Sequence, residues 1–133
     1  MSIEKMAKDS FMSLKGCRIL IVDDEEDLLE MVAEAFEEEG CNVSTANNGE
    51  DALNIFLEKD IQVVIADESM PKLDGHELMT KIQESKKAFP LYFFSTGSME
   101  LLENELQEKG ATGLITKPFD LDTILELVKS KMS

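Results

Sequence analysis

The chain has 133 residues, the length of one ordinary domain, so a single domain without a separate catalytic or output module is expected. Thirteen Lys and Arg against 28 Asp and Glu leave a net charge of -15, which repels both a phosphate backbone and an anionic bilayer, so neither nucleic acid nor membrane is expected as a direct partner. A composition of 43% hydrophobic and 31% charged residues is globular; with no apolar run near the roughly 20 residues of a span and no apolar leader in MSIEKMAKDS, the expected location is the cytoplasm.

Residues 1–15 form an extension ahead of a domain at 16–133. Ile3, Met6, Ala7, Phe11 and Leu14 fall at helical spacing, which fits an amphipathic helix for docking or homodimerisation; a flexible tail is the preferred reading. From Arg18 the pattern alternates. CRILIV precedes a helix at 27–39, NVSTA a helix at 50–59, IQVVIA a helix at 77–85, LYFFS a helix at 99–109, and TGLIT a helix at 121–131. These are five βα units. Leu28, Val32, Ala35 and Phe36 mark the buried stripe expected on the first helix, and Leu121, Ile124, Leu125 and Val128 that on the last. The first, third and fourth strands are continuously apolar, as strands covered on both faces should be, whereas NVSTA alternates and TGLIT has only two large apolar residues. The expected fold is therefore α/β, a doubly wound five-stranded parallel sheet of order 2-1-3-4-5. Cys17 and Cys41 begin neighbouring strands and read as two reduced thiols, with a disulfide as the lesser alternative.

Such a sheet binds ligands beyond the carboxyl ends of its strands where the order reverses, here between the first and third strands. The residues that follow the strands are informative. Asp23, Asp24, Glu25 and Glu26 follow the first, Asp67 ends the third, Ser95 and Thr96 end the fourth, and Lys117 and Pro118 follow the fifth. Edge strand two ends in Ala46 and Asn47. Carboxylates converging within a few ångströms repel one another unless a cation sits among them, and a hard divalent ion such as Mg2+ suits such a set. With Lys117 and a hydroxyl nearby, Asp67 is equipped to attack phosphorus, since these groups neutralise charge on a transferring phosphoryl group.

Simpler readings exist for each element. The 23–26 run also suits an acidic helix start, Asp67 a turn, Lys117 a surface lysine, and Asp74 with Gly75 a turn before a helix. Glu37, Glu38 and Glu39 read as a solvated face, and His76 as a surface residue. Ser95 is preferred to Thr96 for the hydroxyl role because it stands first after the apolar run; Thr96, with Glu68 and Ser69, is placed at the entrance to the site.

The acidic pair in VDDEED, the D-x-x-M-P-x-x-D-G run in DESMPKLDG, the hydroxyl in FFSTG and KPF at 117–119 together resemble the receiver domain of two-component response regulators. The resemblance covers about residues 15–131 and implies a flavodoxin-like (βα)5 fold. It implies that Asp67 accepts a phosphoryl group from a sensor histidine kinase or a histidine phosphotransfer protein, and that Asp24, Asp67 and the Ser69 carbonyl bind Mg2+ directly, with Asp23 acting through water. Ser95 and Lys117 would contact the phosphoryl oxygens, Lys117 through a cis peptide to Pro118. The chain then reads as a single-domain signalling switch, not an enzyme, whose phosphorylated surface regulates an unidentified downstream protein. Leu114 stands where many receivers carry an aromatic switch residue, and Tyr92 earlier in the fourth strand is no assumed substitute. A Mg2+-dependent phosphohydrolase or phosphotransferase on a similar sheet is the alternative, although no segment is long enough to cap its substrate.

Overall fold

A computed structural model of the protein describes residues 13–132. The helix-or-tail reading of the extension lies, apart from Ser13, Leu14 and Lys15, outside the described residues. Leu14 itself is buried, and its carbonyl accepts hydrogen bonds from the Cys17 backbone and the Cys41 thiol.

Five strands, β1 (Arg18–Val22), β2 (Asn42–Ala46), β3 (Val63–Asp67), β4 (Leu91–Thr96) and β5 (Gly113–Thr116), pair in parallel in the order β2-β1-β3-β4-β5. Between and after them run α1 (Glu26–Glu38), α2 (Gly49–Glu58), α3 (Gly75–Glu84), α4 (Glu103–Glu108) and α5 (Leu121–Met132). The expected order is found.

Strand alternation sorts the core into two layers, because successive side chains point to opposite faces. Leu20, Val22, Val64, Ala66, Tyr92 and Phe94 face α2 and α3, meeting Ala52, Phe56, Leu78, Met79 and Ile82. Ile19, Ile21, Val63, Ile65, Phe93 and Ile115 face α1 and α5, meeting Val32, Phe36, Ile124 and Val128. Every residue of β3 is buried, as its continuous apolar run requires, while β2 at the sheet edge is exposed at Asn42 and Thr45 and half-buried at Val43 and Ser44. Cys17 and Cys41 are buried free thiols at the opposite end of the sheet from the strand-end acids, with the Cys17 sulfur 3.7 Å from that of Met132.

Two helices differ from the sequence reading. On α1 the buried stripe is Leu29, Val32, Ala33 and Phe36; Leu28 and Ala35 lie on its flanks, half-buried, so the stripe is turned by about one position. On the fourth unit the expected helix at 99–109 shrinks to α4, since only Leu106 is buried and the N-cap, Leu102, has no side chain able to hold the orphan N–H groups of the first turn. Met99 and Leu102 stay exposed.

The turn at Asp74 and Gly75 does begin a helix, through a capping box: Asp74 Oδ1 accepts from Glu77 N–H at 2.9 Å, and Glu77 Oε1 accepts from Asp74 N–H at 3.1 Å. Gly75 is required here by space. A Cβ on it would lie 2.5 Å from the Asp67 carbonyl oxygen and 3.2 Å from Glu68 Cα, both backbone. Its own carbonyl accepts the buried Tyr92 hydroxyl at 2.8 Å. Gly75→Ala should therefore push on the strand that carries Asp67 and lower stability by about 1–3 kcal/mol, the usual cost of overpacking. Urea denaturation tests this; a midpoint equal to wild type would mean that the contact relaxes freely.

Candidate functional site

The loops after β1, β3, β4 and β5 meet at the carboxyl edge of the sheet. Asp23 leaves β1 with its N–H on the Ala46 carbonyl at 3.2 Å, and its side chain is buried. Asp67 ends β3 in register with Ser95, and both are buried. Lys117 leaves β5 with its N–H on the Thr96 carbonyl at 2.8 Å, and its peptide to Pro118 is cis. The ammonium of Lys117 is the hub: it stands 3.0 Å from Asp23 Oδ2, 3.2 Å from Glu25 Oε1 and 3.5 Å from Asp67 Oδ2. Carboxylate oxygens of Asp23, Glu25 and Asp67 lie within 4.8 Å of one another. Hard oxygen donors so grouped fit a divalent cation such as Mg2+.

The structure thus brings together Asp23, Asp67, Ser95 and Lys117 from the residues expected at the site. Ser69 is exposed in the next loop, and its backbone N–H favours the Asp67 carboxylate. Asp24 is exposed and outside the three-carboxylate group; it borders a shallow hollow of about 340 Å³ with Asn47, Asn48, Pro71 and Lys72. Glu25 takes a place that the sequence reading did not give it. It is the N-cap of α1, two residues from Asp23; the chain bends at Asp24 and the Glu25 N–H donates to Asp23 Oδ1 at 2.9 Å, which keeps the two residues side by side. The signal was available in DDE, masked by the equal suitability of an acidic residue for a helix start.

Crowding leaves an electrostatic signature. Burial, and then the charge of Asp23, push Asp67 up to about 6, against the opposing pull of Lys117 and the Ser69 N–H. Burial alone would lower Lys117, but the hydrogen bond and charge of Asp23, followed by Asp67 and Glu25, outweigh it and raise its pKa. A carboxyl with a raised pKa binds its proton more tightly folded than unfolded. Its ionisation therefore costs stability above about pH 6, and that cost vanishes as pH falls below its unfolded value of 3.8. The shift corresponds to about 3 kcal/mol. Without divalent cations, Asp67→Asn should be more stable than wild type by up to that amount at pH 7, and the advantage should shrink toward pH 4. Paired urea melts at the two pH values check it; a difference that grows on acidification would contradict the assignment.

Around this centre lie groups with other partners. The Thr96 hydroxyl donates to Glu68 Oε1 at 2.8 Å and accepts from Ser98 N–H at 2.9 Å, leaving Ser95 as the hydroxyl in register with Asp67. His76, expected on the surface, is instead half-buried, with Nε2 3.3 Å from Glu68 Oε2 and its ring 4.7 Å from that of Phe94. Tyr92 is fully buried and held by Gly75, so it stands in no exposed switch position.

Residues 19–129 match the family of the response regulator receiver domain. The regulatory protein AtoC of Escherichia coli is 33% identical over 112 residues, 84% of this chain and 24% of AtoC. PhoP of Bacillus subtilis, the alkaline phosphatase synthesis transcriptional regulatory protein, is 32% identical over 113 residues, 85% of this chain and 47% of PhoP. The chain thus spans half or less of the length of these relatives. Among solved structures, the chemotaxis response regulator CheY4 of Vibrio cholerae superposes with a TM-score of 0.78 at 26% identity, over 90% of this chain and 100% of that one. The CheX-CheY-BeF3-Mg2+ complex from Borrelia burgdorferi gives 0.78 at 30% identity, over 90% and 91%. A flavodoxin-like sheet with its acids, hydroxyl and lysine gathered at one edge and a match spanning all five βα units have one common explanation: the chain belongs to the response regulator receiver domain family.

Proposed function

We propose that this receiver is a Mg2+-dependent phosphorylation switch in which Asp67 accepts a phosphoryl group from a histidine of a sensor kinase or phosphotransfer protein. The observation that carries the reading is the buried Asp67 carboxylate with the Lys117 ammonium 3.5 Å from it and Ser95 in register beside it. An Asp67 oxygen attacks phosphorus in line with the histidine nitrogen. The O–P bond forms as the N–P bond breaks, and the leaving imidazole keeps the electron pair and takes a proton from solvent.

Lys117 turns from the carboxylates toward the phosphoryl oxygens as negative charge gathers there, and Ser95 donates its hydroxyl to another of them. When bound, Mg2+ supplies further positive charge to those oxygens. The groups proposed to hold it are Asp24, Asp67 and the Ser69 carbonyl, with Asp23 acting through water and Glu25 close enough to contribute. The Borrelia burgdorferi CheY complex, which contains BeF3 and Mg2+, supports Mg2+ as the ion. Slow hydrolysis of the acyl phosphate resets the switch, so the chemistry is self-modification, not turnover of a metabolite. The changed surface acts on a partner protein through α4, β5 and α5, in the cytoplasm; no helix among the described residues is long and apolar enough to cross a membrane.

Incubation with acetyl phosphate and Mg2+, followed by intact mass measurement, tests the reading. One acid-stable, base-labile phosphoryl adduct is expected, and EDTA should prevent it. An unmodified protein, or modification indifferent to EDTA, would overturn the proposal.

A further inference from the structure

The two oxygens of Glu68 are divided between elements. One accepts the Thr96 hydroxyl of β4 at 2.8 Å, and the other faces His76 Nε2 of α3 at 3.3 Å. The Glu68 backbone is held as well, its N–H on the Ser95 carbonyl at 2.9 Å and its carbonyl on the Gly75 N–H at 3.1 Å. His76 is itself fixed by its ring contact with Phe94. Beyond Thr96 the path continues to Ser98, the start of the segment leading to α4. A polar chain His76, Glu68, Thr96, Ser98 therefore crosses from α3 to the β4 exit, one residue past both Asp67 and Ser95.

We infer that Glu68 is a positioning residue that latches the end of β4 to α3 and holds Ser95 back from a phosphoryl group on Asp67. The inference rests on the phosphorylation reading and adds the element that resists the switch. Ser95 and Thr96 are consecutive on one strand, so their side chains leave it on opposite sides. Advancing Ser95 toward Asp67 draws Thr96 away from Glu68, and the bond given up is of the stronger, charge-assisted kind. The latch thus opposes the active arrangement, and its removal favours that arrangement even where it lowers overall stability. A merely structural contact does the reverse, weakening both.

Titration of beryllium fluoride, a phosphoryl mimic, at fixed Mg2+ tests this, with wild type, Thr96→Val, Glu68→Ala and the double variant followed by amide resonances. Each single variant should bind roughly ten- to hundredfold tighter, as expected for the loss of one hydrogen bond to a charged group from the resting state. The double variant should bind no tighter than the better single one, since both cut the same bond. His76→Phe, which keeps the ring on Phe94, should tighten binding less, and Thr96→Ser should restore wild-type affinity. Unchanged or weaker binding by Thr96→Val, or additive gains in the double variant, would sink the latch while leaving Asp67 chemistry intact. A wild-type protein that binds no beryllium fluoride would sink the phosphorylation reading and the latch with it.

Discussion

Asp67→Asn is expected to carry no phosphoryl group under conditions where wild type carries one. The amide has nearly the same shape but no anionic oxygen able to displace the donor's leaving group, so chemistry stops while the site stays assembled. Loss of modification through misfolding predicts a different pattern. Burial and the neighbouring Asp23 raise the Asp67 pKa to about 6, which makes its charge a burden on the folded state, so the Asn variant should be at least as stable as wild type at pH 7. Intact mass after acetyl phosphate treatment, paired with a urea melt of the same samples, separates the two cases. A stable variant without adduct supports Asp67 as acceptor. An adduct equal to wild type would move the acceptor to another residue, first to Asp23 or Glu25, whose oxygens share the site. Asp23→Asn serves as the control: it removes a carboxylate from the same group and should slow modification without abolishing it.

Much of this centre was legible in the sequence because strand ends in a parallel sheet have one address. Continuous apolar runs in β1, β3 and β4 required cover on both faces, which put them inside the sheet, and whatever followed them had to meet at its carboxyl edge. Asp23, Asp67, Ser95 and Lys117 are found there for that reason. What was missed depends on side-chain direction. Periodicity sets a helix face only to within a residue, so the α1 stripe fell on Leu28 and Ala35 instead of Leu29 and Ala33. Asp24 and Glu25 are both acidic and adjacent; only the path of the chain into α1 decides which one turns to Lys117. The contacts of Glu68 with Thr96 and His76 join three elements, and no spacing along the chain encodes them. The short α4 reflects energetics that a pattern of Met and Leu does not reveal, since Met99 and Leu102 stay exposed.

Lys117→Met should move two properties of the site in opposite directions. The methionine keeps most of the aliphatic stem and removes the ammonium, which now faces Asp23, Glu25 and Asp67 at 3.0, 3.2 and 3.5 Å. Without it, the buried Asp23 and Asp67 lose their common counter-charge. Removing one partner of a buried ion pair costs about 3–5 kcal/mol, so the metal-free variant should melt well below wild type at pH 7. Mg2+ should recover much of that loss, and should bind the variant more tightly than wild type, because it no longer competes with an ammonium for the same carboxylates. Phosphorylation should nonetheless slow by about 10²–10³-fold, the usual effect of deleting one group that meets developing charge in the transition state. Lys117→Arg should rescue stability better than rate, since a planar guanidinium preserves the charge but not a compact ammonium's freedom to turn from carboxylate to phosphoryl oxygen. Thermal melts across a Mg2+ titration, set beside adduct formation rates at saturating Mg2+, read both properties in one preparation. Tighter Mg2+ binding with a slower reaction is the result that identifies Lys117 as the group passed from the resting carboxylates to the phosphoryl oxygens; a rate equal to wild type would leave it only the role of a counter-ion.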